Sequence, residues 1–179
     1  MAPIRRLQAA QRRRKEKIYK PQMHFLIGNH EERILRHVNK NPELSGKLGY
    51  GDFELESYGW TVHDYLEVVT LNGVAYSHYF YHPSTSRAYG GVAHTRLKTV
   101  GYSFTMGHQQ GKDQAERYLT NGTVHRGLIV GSYYPHNELY KGPQGNEHWR
   151  GCIMKHQVRD GNYDIMELSL DYLMTRAGF

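Results

Sequence analysis

Residues 66 to 80, LEVVTLNGVAYSHYF, constrain the fold more tightly than any other stretch of the chain. Leu66 to Leu71 and Val74 to Phe80 are β-branched and aromatic runs, and the two residues between them are Asn72 and Gly73. That dipeptide best tolerates the two positive φ angles of a type I′ turn, so the spacing predicts an antiparallel hairpin. Its second strand delivers a histidine, His78, as the apolar alternation runs out.

The remaining pattern supplies partners for the hairpin. Ile4 to Lys17 has the composition of a polar helix with a thin apolar stripe at Ile4, Leu7 and Ala10, stopped by Pro21. Met23 to Ile27 reads as a short buried strand. From Glu31 the positions Ile34, Leu35 and Val38 take helical spacing, ending near Asn41-Pro42. Glu43 to Asp52 is a loop with at most one helical turn, and Pro83 to Gly91 is a second loop. A helix is predicted over Val92 to Thr99 and a strand over Tyr102 to Met106. Late strands follow at Leu128 to Gly131, Cys152 to Val158 and Tyr163 to Leu170, the last two joined by Asp160-Gly161. Strand and helix alternate first and strands dominate afterwards, which predicts an α/β sheet layered with helices. With 179 residues and 39% hydrophobic content, one core of ordinary size is expected.

Charge is unevenly placed. Residues 1–20 carry Arg5, Arg6, Arg12, Arg13, Arg14, Lys15, Lys17 and Lys20 against Glu16, a net +7, whereas the whole chain is +6. The rest is therefore close to neutral, and the excess belongs to a basic N-terminal helix or arm, 1–20, ahead of a single domain over 21–179. Such an arm suits contact with the phosphates of a nucleic acid, although most charge runs are solvated helix faces. The single Cys152 excludes an internal disulfide and is expected to pack inertly in its apolar strand. No apolar run approaches the roughly 18 residues that cross a bilayer, so a soluble, cytoplasmic protein without a membrane role is expected.

Three segments share one design, a short buried strand whose carboxyl end delivers a histidine: Phe25-Leu26-Ile27-Gly28-Asn29-His30, Val74-Ala75-Tyr76-Ser77-His78 and Phe104-Thr105-Met106-Gly107-His108. Functional groups of open α/β sheets gather at those ends, so the three can converge. Here the chain resembles the calcineurin-like metallophosphoesterases. The resemblance rests on Gly28-Asn29-His30-Glu31, on His78, and on Gly107-His108-Gln109-Gln110. The segment from Gly142-Pro143-Gln144-Gly145-Asn146 to Trp149-Arg150-Gly151 is similar to phage-encoded members.

The resemblance implies a layered β-sandwich flanked by helices, αββα, and metal-dependent hydrolysis of a phosphomonoester or phosphodiester by metal-activated hydroxide. The substrate class extends to nucleotides and nucleic acids, as in a nuclease. Mn²⁺ is the implied cofactor, with Fe, Zn²⁺ or Ni²⁺ as alternatives. Asn29, His78, His108 and Gln110 match metal ligands, and His30 matches the general acid that protonates the leaving oxygen. Arg150 and His136, in a polar aromatic loop region, are candidates for holding substrate phosphate.

The family's Asp-x-His and Gly-Asp-x-x-Asp motifs do not precede Gly28; residues 1–28 contain no Asp. Gly51-Asp52 follows Asn29 rather than preceding it and is expected to be a loop. Gln110 stands where a second histidine is usual. The chain is therefore expected to be an N-terminally truncated form of the family fold, a subunit completed by a second chain, or a degenerate relative. The alternative function is a non-catalytic or split-subunit relative that binds metal or a partner without hydrolysing phosphate.

Overall fold

The structure is a computed structural model that describes residues 2–178, with side chains described for 4–178. It is mixed α/β, and the chain separates into two compact units, Met1–Tyr65 and Leu66–Phe179.

The first unit opens with helix α1, Ala2–Arg13. Strand β1, Met23–Leu26, leads into helix α2, Asn29–Lys40. The strand stops because Gly28 is extended and its N–H donates to the Glu31 carboxylate, 2.9 Å away, which places Glu31 on the first turn of α2. A negative group there also meets the positive end of the helix dipole. The region after Asn41-Pro42 contains two short 3₁₀ turns, Pro42–Leu44 and Tyr50–Phe53, with Asp52 accepting from the Gly49 N–H. Asp52 is thus a turn-stabilising residue. Strand β2, Trp60–His63, pairs in parallel with β1 in the register Met23 to Trp60 and Leu26 to His63. Sequence pattern gave no sign of β2, because only Trp60 and Val62 are apolar in four residues. Ile27 is fully buried here, while the helix residues Ile34, Leu35 and Val38 are half-buried.

The second unit is built on a five-stranded mixed sheet. Strands β3, Val69–Leu71, and β4, Val74–Ser77, form the expected hairpin, shorter than its apolar runs, with Asn72 at φ 49° and Gly73 at φ 80°. Glycine is required at 73: a Cβ there would lie 2.4 Å from the Gly161 nitrogen. Helix α3, Ala93–Val100, crosses over to strand β5, Phe104–Met106, which is why β4 and β5 run parallel. Strands β6, Lys112–Tyr118, and β7, Val124–Val130, complete the order β3-β4-β5-β7-β6. β6 eludes a hydrophobic reading since KDQAERY has one apolar position facing inward and a polar outer face.

Register sorts the side chains of this sheet. Ala75 opposes Phe104, and with Met106, Ile129, Leu97, Ala93 and Phe80 they form the core beneath α3. Fully burying Phe104 contributes about 2–3 kcal/mol. Tyr76 opposes Thr105 on the other face. There they meet Lys155 of strand β8, Gly151–Arg159, whose ammonium donates to the Tyr76 and Thr105 hydroxyls and lies 4.5 Å over the Tyr163 ring. Tyr163 belongs to strand β9, Asn162–Ser169, antiparallel to β8. A short helix α4, Gly142–Asn146, precedes this hairpin and helix α5, Leu170–Ala177, follows it. Neither helix is expected from the pattern. Cys152 is exposed, not packed: alternation along β8 turns Ile153 and Lys155 inward and Cys152 and Met154 out. Among the described residues no helix is long and apolar enough to cross a membrane.

Candidate functional site

His78 and His108 come together. Parallel pairing sets Ser77 beside Met106, so the residues just beyond each strand emerge at the same sheet end. His108 Nδ1 lies 3.1 Å from His78 Nε2, with the ring planes at 77°. The turn that presents His108 is tight, since the Gln109 N–H donates to the Gly107 carbonyl at 2.7 Å and His108 itself sits at φ 63°. A left-handed conformation at a residue with a Cβ is uncommon and concentrates where structure over-determines it. Tyr79 brackets the pair, its ring centroid 4.7 Å from that of His108 and 5.5 Å from that of His78, and its hydroxyl meets that of Tyr81 at 3.2 Å. His108 is exposed and His78 half-buried, so the pair is open to solvent. Gln110, two residues on and half-buried, leads into β6.

The two ring nitrogens are within hydrogen-bond distance of each other. Two nitrogens bound at about 2.0–2.1 Å in tetrahedral geometry stand roughly 3.3 Å apart, close to the separation seen. They do not by themselves fit a two-ion centre: among the described residues no three His, Cys, Asp or Glu side chains are grouped to hold a metal.

Asn29 and His30 occupy the first two positions of α2, in the other unit, with Asn29 half-buried and His30 exposed. A second imidazole pair in that unit had no signal in the sequence. His24 and His63 lie on β1 and β2, their Nδ1 and Nε2 atoms 2.9 Å apart and their rings stacked at 5.2 Å. His24 and His63 are far apart in sequence, and only the parallel β1–β2 register, itself unforeseen, brings them together.

Arg150 is occupied as a clasp. Its terminal nitrogens donate to the Pro135 carbonyl at 3.1 Å, the Asn137 side-chain oxygen at 2.9 Å and the Asn146 carbonyl at 3.3 Å, and its guanidinium sits 5.2 Å over Tyr134. With its terminal nitrogens on three loop acceptors, the guanidinium fastens the late loop. His136 stacks on Tyr134 at 4.6 Å and approaches Glu138 at 3.6 Å, exposed and likewise part of that loop. Trp149 is half-buried, with the Lys112 ammonium 5.0 Å over its ring.

Comparison with family models, curated proteins and solved structures finds no match for this chain.

Proposed function

We propose that the chain takes part in metal-dependent hydrolysis of a phosphoester, with His78 and His108 as imidazole ligands of a single divalent ion. The 3.1 Å approach of their ring nitrogens at adjacent ends of parallel strands, where His108 is exposed, supports this reading. When bound, such an ion supplies Lewis-acid polarisation of a phosphoryl oxygen and a nucleophile active at neutral pH. The protein holds the two rings: the turn at Gly107 to Gln109 fixes His108, and Tyr79 packs against both imidazoles. The resemblance adds Asn29 as an amide ligand, His30 as the proton donor to the leaving oxygen and the layered αββα sandwich as the finer fold; these rest on the motifs alone. Mn²⁺ is the first ion to test.

The test is hydrolysis of bis-(p-nitrophenyl) phosphate with and without Mn²⁺. Metal-dependent release of nitrophenolate that disappears in His78→Ala and His108→Ala supports the proposal; activity equal in all three proteins refutes it. A second reading, a relative that binds an ion or a partner without hydrolysis, is favoured by Arg150, whose terminal nitrogens are taken up by loop acceptors. It predicts Mn²⁺-dependent thermal stabilisation with no turnover.

A further inference from the structure

We infer that α1 and the segment that returns along it form a binding surface for the phosphodiester backbone of a nucleic acid. The segment is folded onto the helix. After Arg13 the chain turns at Lys15, φ 56°, and doubles back. The Gln8 side-chain amide donates to the Tyr19 carbonyl at 2.9 Å, and the Tyr19 N–H donates to the Gln11 side-chain oxygen at 2.8 Å. Arg5 lies 5.1 Å over the Tyr58 ring, tying the helix to the rest of its own unit. This is a built element, whereas a solvating tail needs no such fastening.

Its charge is left uncompensated. All eight cations of residues 1–20 are exposed. Among the described residues only Arg14 has a carboxylate within reach, Glu16 at the 4.0 Å limit. Holding +7 in a short helical hairpin is self-repulsive and weakens the fold unless an external polyanion neutralises it. Arg5 with Arg12, and Arg6 with Arg13, are each seven residues apart, so each pair stacks on one face about 10.5 Å along the axis. Two parallel cationic rows suit a repeating line of phosphates.

Chemistry selects among polyanions. Five of the eight cations are Arg, whose planar fork matches phosphate oxygens in pairs. An anionic membrane would require a bulky apolar face on the same helix, and among its described residues α1 offers only Leu7 there with notable exposure. Gln8 and Gln11, the two amides of the helix, are committed to Tyr19.

The test uses the full chain in EDTA, so hydrolysis plays no part and its failure is independent of this one. Anisotropy of fluorescein-labelled 20-mer oligothymidylate is measured from 50 to 200 mM NaCl, beside a mixed-sequence 20-base-pair duplex and vesicles containing 30% phosphatidylserine. Binding is expected to weaken steeply with salt. The triple variant Arg6→Ala/Arg12→Ala/Arg13→Ala should lower the log–log slope by about 2 on the single strand, about 0.7 for each phosphate no longer neutralised. Alanine sustains a helix, so a circular dichroism spectrum matching the wild type confirms that the weakening comes from the missing charges and not from unfolding. No binding to either oligomer at 50 mM NaCl, an unchanged slope in the variant, or binding to the vesicles alone would each overturn the inference.

Discussion

The His78–His108 pair and the His24–His63 pair share a contact distance and little else. In each, two ring nitrogens come within about 3 Å across neighbouring parallel strands, at 3.1 Å and 2.9 Å. The first pair stands beyond the last ladder residues of β4 and β5, its rings nearly perpendicular and His108 exposed. The second lies within β1 and β2, its rings stacked at 18°, His63 buried and the His24 Nε2 closed off without a hydrogen-bond partner. Position along the strand accounts for the difference. Past a strand end the backbone can turn and leave space for a ligand, while inside a strand the side chain is locked to the pleat and packs against its neighbour. By distance both pairs are within hydrogen-bond reach, and what separates them is access to solvent.

The largest effect expected from this contrast is on metal binding. His78→Ala or His108→Ala should weaken Mn²⁺ binding by roughly 100-fold or more, since even outer partners of ligands are worth 10- to 100-fold. His63→Ala should leave it unchanged. Calorimetric titration of the three variants checks this, and an equal loss in His63→Ala would erase the distinction between the pairs.

Stability should respond the other way round. His63→Ala removes a buried stacked ring and its partner contact, and is expected to destabilise by about 1–3 kcal/mol in urea denaturation. His108→Ala, at an exposed turn held at positive φ, should cost under about 1 kcal/mol. A larger loss in His108→Ala would make that pair structural.

The strands carrying the open pair have their own support, which gives a pH-dependent effect of intermediate size. Lys155 lies against Tyr76 and Thr105, two and three residues before His78 and His108. Burial without a carboxylate lowers its ammonium from 10.5 to about 7. Below pH 7 both folded and unfolded chains carry the proton, and the fold bears the full desolvation cost. Between about 7 and 10.5 only the unfolded chain keeps it, so stability climbs with pH, by a few kcal/mol at most. Above pH 10 the Tyr163 hydroxyl, pushed up to about 12 chiefly by burial, opposes the trend because the unfolded tyrosine ionises first. Urea midpoints of Lys155→Met should lack the climb between pH 7 and 10; curves parallel to wild type would show that the amine is not desolvated.

The smallest effect is assigned to His136, which belongs to neither pair. His136→Ala should change stability by under about 0.5 kcal/mol and leave Mn²⁺ affinity as it is, measured in the same two assays.

Much of this arrangement was legible in the residues. Asn72-Gly73 announced the β3–β4 hairpin because its two positive φ angles have a chemical signature, and the apolar run ending in Gly107-His108 announced a strand with a histidine at its tip. β2 and β6 were not legible: WTVH and KDQAERY carry too few inward apolar positions to show alternation, and their pairing is decided by neighbours distant in the chain. The His24–His63 contact depended on β2 and was hidden with it. Arg150 has the right chemistry for a phosphate, yet the loop acceptors of Pro135, Asn137 and Asn146 surround it, a competition that composition does not record.

Which imidazoles an ion can reach is the central question, and paramagnetic broadening of the histidine ring resonances during a Mn²⁺ titration reads that directly. The signals of His78 and His108 should broaden first and together at substoichiometric metal while those of His24 and His63 stay sharp. Broadening that begins at His24 and His63, or rings that all remain sharp at millimolar Mn²⁺, would contradict a metal site at the open pair.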